Sequence, residues 1–164
     1  MVPPRARLKL NPLRTFGFLL KDVSRLYVKR FEQSAGALGL TLPQCRVLVC
    51  LADQEGISQA QLTELTDIEP MTLVRTLDYM ESHGWLERRN DPADRRARRL
   101  YLKAKGKPLV EEIWHLVDLT RREALAGIPK KHADLMIELL AKIQSNFASL
   151  EPLQSMPAVA VRKR

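Results

Sequence analysis

The chain has 164 residues, enough for one domain with a buried core but short for an enzyme carrying a separate cofactor domain. Lys and Arg number 27 against 19 Asp and Glu, a net charge of +8, which favours polyanionic partners through counterion release. No apolar run approaches the length of a membrane span and Met1-Val-Pro-Pro-Arg has no apolar signal core, so a cytoplasmic protein with no membrane partner is expected.

In chain order, residues 1–10 are Pro-bearing and basic and read as a flexible arm. Asn11-Pro12 then starts a long helix whose apolar face runs through Leu13, Phe16, Leu20, Val23, Tyr27 and Phe31 as far as Gly36 or Gly39. That stripe is wide for the surface helix of a monomer, so part of it is expected to face another subunit. Thr41-Leu-Pro-Gln44 is a capping box, opening a helix through Val47, Leu48 and Leu51 to about Gln54. On it Cys45 and Cys50 diverge by about 140° and cannot easily bridge; both read as small buried hydrophobes.

Ser58 and Gln61 form a second capping box, with Ile57 against Leu62 as the hydrophobic staple, and this pattern ends near Thr66-Asp67. A further helix restarts at Pro70, which suits a first helical position because it has no N–H to leave unpaired. Two short helices joined by so short a turn form a helix-turn-helix. Leu73, Leu77 and Met80 face inward at i, i+4 and i+7, which leaves Thr72, Arg75, Thr76 and Tyr79 on one outward stripe. Such a stripe suits base edges, where Arg can bond guanine O6 and N7 together and the Thr methyl can pack on thymine. Gly84 stops the helix, and Trp85–Arg89 and Arg98–Leu102 alternate as two strands of a hairpin. Arg88, Arg89, Arg95, Arg96, Arg98 and Arg99 crowd this hairpin against Glu87, Asp91 and Asp94, so its tip can reach backbone phosphates or a narrow minor groove. A solvated, salt-bridged surface hairpin is the alternative.

Lys107-Pro108 opens another long pattern through Leu109, Ile113, Leu116, Val117, Thr120 and Ala124, closed by Gly127-Ile-Pro129. In the final helix Leu135, Leu139, Ile143, Phe147 and Leu150 form a core face, and the basic, Pro-containing residues 151–164 read as a flexible tail. The helices at the two chain ends exceed what one winged helix needs for its own core. A homodimer is their natural use, an intramolecular bundle the alternative.

The run Thr72-Leu-Val-Arg75-Thr-Leu-Asp-Tyr-Met-Glu81-Ser-His-Gly84-Trp-Leu86, followed by Asp94-Arg95-Arg96, resembles the signature of MarR-family winged-helix regulators, and most closely the SlyA branch. The resemblance extends from about Leu13 to Leu150 and is densest between Leu62 and Leu102. Two residues depart from it. Trp85 stands where a smaller apolar residue or Tyr is usual, and Lys103 replaces the Thr that caps the helix after the wing, a loss expected to fray that helix at about 1 kcal/mol.

The resemblance implies a mainly α fold with a small β-hairpin wing: a winged helix-turn-helix over residues 41–104, flanked by dimerisation helices in 1–40 and 105–150 of a single domain. It implies a homodimer on pseudopalindromic double-stranded DNA, with half-sites about 34–36 Å apart. Thr72, Arg75 and Thr76 are then expected to read bases, Ser58 and Gln59 to hold phosphate, and Arg95, Arg96 and Arg98 to engage the wing-side backbone, with Asp94 orienting a wing arginine. It further implies a small aromatic acid effector in a cleft near Arg25 and Cys45, where Cys45 replaces the bulky aromatic that can occur in that branch. Cysteine-based redox sensing and a protein–protein winged helix are the competing readings. No catalytic role, cofactor or metal is expected: His83, His115 and His132 lie on separate elements, and there is no phosphate loop, dinucleotide fingerprint or nucleophile elbow.

Overall fold

A computed structural model of the chain describes residues 12–91 and 98–150. The order is α1 (Pro12–Ala37), α2 (Leu42–Asp53), β1 (Ile57–Ser58), α3 (Gln59–Thr66), α4 (Pro70–Ser82), β2 (Leu86–Asn90), β3 (Arg98–Leu102), α5 (Lys107–Ala124) and α6 (Lys130–Ala148). These residues divide after Ala124 into two compact units, one holding α1 to α5 and the other α6.

The helix starts follow local hydrogen bonding. Thr41 Oγ1 accepts from Gln44 N while Gln44 Oε1 accepts from Thr41 N, and Ser58 and Gln61 repeat the exchange at α3. Each box satisfies two of the donors that a helix start leaves unpaired. After α4, Gly84 (φ +72°) closes the helix: its N–H donates to Glu81 O and Trp85 N–H donates to Met80 O, both at 2.9–3.0 Å. This reversal throws the chain into β2 within three residues.

The sheet is antiparallel with strand order β1-β3-β2, and β2 is an edge. Leu86 pairs with Leu102, Arg88 with Leu100 and Asn90 with Arg98, while Ile57 pairs with Leu100 on the other side. The hairpin was expected from the sequence; the third strand was not. Two residues give no alternation to detect, and Ser58 had already been assigned as the cap of α3. Its pairing with Arg99 ties the start of the helix-turn-helix to the wing.

The core of the first unit is built from Val47, Leu48 and Leu51 of α2, Leu62 of α3, Leu73, Leu77 and Met80 of α4, and Leu86 and Leu100 of the sheet, all fully buried. Among the α1 residues whose burial is described, only Phe31 and Ala35 enter it, whereas Phe16, Phe18, Leu19, Leu20, Val23 and Leu26 are exposed. Gly106 admits no side chain, since a Cβ there would lie 2.5 Å from Trp85 O. This close approach, with Gly106 N–H donating to Lys103 O at 2.9 Å, orders the turn into α5 at the place where Lys103 supplies no cap oxygen.

In α6 the expectation of a core face needs correction. Leu135, Leu139 and Phe147 are exposed in the single chain, as is Leu150, which lies beyond the end of the helix at Ala148; Ile143 is half-buried, and Ala133 is the buried residue of this helix. The helical period was right, but periodicity does not say whether the apolar face closes on its own chain or on another. Among the described residues, no single helix is long and apolar enough to cross a membrane.

Candidate nucleic-acid interface

The candidate reading surface is the outer face of α4. With Leu73, Leu77 and Met80 buried, the 3.6-residue period leaves Thr72, Arg75 and Tyr79 exposed and Thr76 half-exposed. Thr76 Oγ1 donates to Thr72 O (2.8 Å). Arg75 is exposed, and among the described residues no ion pair holds it. Tyr79 is committed elsewhere: it stacks on His83 (3.9 Å between centroids) and meets Trp85 edge-on (5.7 Å). Trp85, unexpected at its position, thereby completes an aromatic cluster at the base of the wing.

The cap of this helix was missed in the sequence. Glu69 Oε1 and Oε2 accept from Met71 N (3.0 Å) and Thr72 N (2.8 Å), and these backbone bonds hold its carboxyl below the usual carboxylate range, with Arg75 adding a smaller attraction. Asp67 reverses the chain before it in the left-handed region (φ 50°), a role for which Asp and Asn are the common non-glycine choices. At the start of α3, Ser58 Oγ accepts from Gln61 N (3.2 Å), leaving its O–H to donate outward, and Gln59 is half-exposed beside it.

In the wing the arginines divide by role. Arg88 lies between Glu81 (2.5 Å) and Asp78 (2.7 Å) with its side chain 17 % exposed. Arg89 pairs with Glu87 and lies over the Tyr101 ring at 4.2 Å. Arg99 bridges Asp91 (2.7 Å) and Gly56 O (2.8 Å), fastening the hairpin to the turn before β1. Of the four described hairpin arginines, Arg98 alone is exposed with no ion pair among the described residues. Three of the four described hairpin arginines are therefore engaged within the fold, a division of roles that composition does not reveal. Asp94, Arg95 and Arg96 lie outside the described residues.

A helix-turn-helix, a three-stranded sheet and an exposed polar stripe on the second helix make a winged helix. Residues 40–97 match the MarR family model. That segment is similar to a MarR-family domain. Structural likeness extends further along the chain. Bordetella bronchiseptica BpsR, whose DNA binding is regulated by 6-hydroxynicotinic acid, is 27% identical with a TM-score of 0.70 over 79% of this chain and 98% of its own. A MarR-family transcriptional regulator from Rhodococcus sp. RHA1 is 25% identical, with a TM-score of 0.72 over 82% of this chain and 96% of its own. Wild-type MarR from E. coli in its apo form, 23% identical, shares the fold at a TM-score of 0.74 over 83% and 98%. The fold is that of MarR-type winged-helix transcriptional regulators.

Behind the candidate reading surface, α1, α2, α3 and α5 line a cleft of about 770 Å³. Tyr27, Phe31, Cys45, Val49, Ile113 and Trp114 give it apolar walls, and Arg46, Asp53 and Asp67 give it charge. Arg46 Nη1 donates to Thr66 O (3.1 Å). Of the two residues expected at an effector site, Cys45 lines this cleft. Arg25 does not line it: its side chain is exposed and pairs with Asp22 at 3.4 Å. Arg46 was not singled out in the sequence, because an arginine on a helix surface carries no pattern of its own.

Both cysteines are free thiols, and burial pushes Cys45 up to about 11; Cys50 is also raised, by burial and then by Asp53. Oxidation and alkylation run through the thiolate, so burial disfavours both at Cys45 at neutral pH. Alkylation of native protein by iodoacetamide at pH 7.5 is expected to be about a hundredfold slower at Cys45 than at an ordinary exposed thiol, and to accelerate as pH rises towards 11. Peptide mass mapping over a pH series measures this; labelling of Cys45 as fast as a free thiol at neutral pH would contradict the expectation and favour the redox reading.

Proposed function

We propose that the chain is a homodimeric, sequence-specific regulator of transcription that binds pseudopalindromic duplex DNA, one recognition helix α4 in each major groove. The observation that carries this reading is Arg75, an exposed guanidinium without an ion pair among the described residues, flanked by Thr72 and Thr76 on a helix whose opposite face is the core. In this reading Arg75 and Thr72 read bases, Ser58 and Gln59 hold phosphate at the start of α3, and Arg98 with Arg95 and Arg96 engages the backbone beside the wing, Asp94 orienting a wing arginine. On the run Thr72–Leu86 and Asp94-Arg95-Arg96 we place it with the SlyA branch.

Dimerisation is supported by two apolar faces that the single chain leaves in water. Phe18 (73 %), Leu19 and Leu26 of α1, Leu139 and Phe147 of α6, and Leu150 just beyond it are exposed. Exposed apolar surface of this extent on a soluble protein marks an interface, and a second copy supplies both faces at once. Gel shift against duplex DNA at low and high salt tests the whole reading: retardation that weakens steeply with salt is expected, and no retardation at low salt would refute it.

For control, the cleft beside α2 offers apolar walls for an aromatic ring and Arg46 for a carboxylate, and the regulation of BpsR by an aromatic acid supports the class of ligand. Asp53 and Asp67 repel a carboxylate from the remaining wall, so Arg46 fixes which end of the ligand points inward. Binding that favours the free dimer over the DNA-bound dimer lowers operator affinity by the ratio of the two affinities. Among benzoate-like acids titrated against operator complexes, at least one is expected to release wild type. The effect should be lost in Arg46→Ala and kept in Arg25→Ala. Loss only in Arg25→Ala would return the role to that residue.

A further inference from the structure

We propose that Arg88 is a positioning residue of the DNA-binding head: with Glu81 and Asp78 it fixes the angle between recognition helix α4 and wing strand β2, and it contacts no DNA. This rests on the DNA-binding reading above. Arg88 Nη1 donates to Glu81 Oε2 (2.5 Å), Nη2 donates to Asp78 Oδ1 (2.7 Å), and the Arg88 backbone N–H donates to Glu81 Oε1 (2.9 Å). Because β2 is the edge of the sheet, that backbone donor has no strand beside it, and Glu81 supplies the acceptor.

Three bonds thus join helix to strand across the only hinge between them, His83-Gly84-Trp85. Asp78 and Glu81 stand three apart on one face of α4, the spacing at which two carboxylates can both reach one guanidinium. Arg88 is 17 % exposed against 59 % for Arg89, and its two terminal nitrogens are both engaged. One cation between two carboxylates leaves a local charge of −1, so the cluster repels phosphate as it stands. Its use is mechanical. A five-residue strand spans about 17 Å, so a 10° change at its base displaces the wing tip by roughly 3 Å, enough to lose a phosphate contact.

Glu81 provides the deciding test, because electrostatics and positioning predict opposite signs. Removing an acidic charge from a DNA-binding protein favours DNA binding on charge alone; removing it from the clamp loosens the wing. Fluorescence anisotropy on a selected operator and on random duplex, across a salt series, is measured for wild type, Glu81→Gln, Arg88→Lys, Arg88→Gln and the double variant Glu81→Gln/Arg88→Gln. Glu81→Gln and Arg88→Lys are each expected to weaken operator binding roughly tenfold, the double variant to be little worse than the weaker single, and the salt slopes to match wild type. Thermal unfolding separates loosening from loss of fold. Should Arg88→Gln not fold, the two conservative variants carry the comparison. Glu81→Gln binding as tightly as wild type or tighter would overturn the inference. So would Arg88→Lys at full affinity with a slope lowered by about one ion in Arg88→Gln, the mark of a phosphate contact. Wild type that ignores duplex DNA at every salt concentration would instead overturn the DNA reading, and this inference with it.

Discussion

Arg75→Ala is expected to weaken operator binding by about 1–3 kcal/mol, roughly 5- to 150-fold, and to relax preference at one base position in each half-site. The expectation follows from the fork geometry of guanidinium and from its exposure on α4 without an ion pair among the described residues to compete for it. Arg98→Ala and Arg95→Ala provide the contrast: loss of a phosphate contact lowers affinity for all sequences alike and reduces the salt slope by about one. Anisotropy titrations on the operator and on single-base variants distinguish the two patterns. Unchanged preference and affinity in Arg75→Ala would remove α4 from the major groove.

The second large effect is on assembly. Leu139→Asp is expected to convert a dimer into a monomer at micromolar concentration, since burying an unpaired carboxylate in an apolar interface costs several kcal/mol. In the single chain Leu139 is 55 % exposed, so the change leaves the core around Leu48, Leu62 and Leu77 intact and helical circular dichroism should persist. Sedimentation velocity with circular dichroism tests this. Wild type sedimenting as a stable folded monomer, or Leu139→Asp remaining dimeric, would refute the proposed interface.

How far the sequence could be read depended on the range of the interaction involved. Both capping boxes, the inward row Leu73, Leu77 and Met80 and the stop at Gly84 were legible, because each is fixed by residues within one or two turns of one another. The cap Glu69 escaped because Ser, Thr, Asp and Asn are the usual cap residues, although a Glu can reach the same backbone donors. The partners of the wing arginines were not legible for a different reason. Composition counts arginines, but Arg88 finds Asp78 ten residues back and Arg99 finds Gly56 O forty-three residues back, pairings that only the folded chain brings about. Arg46 at the cleft wall shows the same limit, its neighbours Tyr27 and Trp114 coming from helices far away in sequence. In α6 periodicity identified the apolar face and could not identify its partner.

Selection of bound fragments from a random duplex library, at stated salt, bears most directly on the central claim. A two-fold pseudopalindrome is expected, with half-site centres about one helical turn apart and a guanine preference in each half that Arg75→Ala abolishes. Recovery of no motif, or of a single unpaired half-site, would contradict a homodimer that reads duplex DNA through two copies of α4.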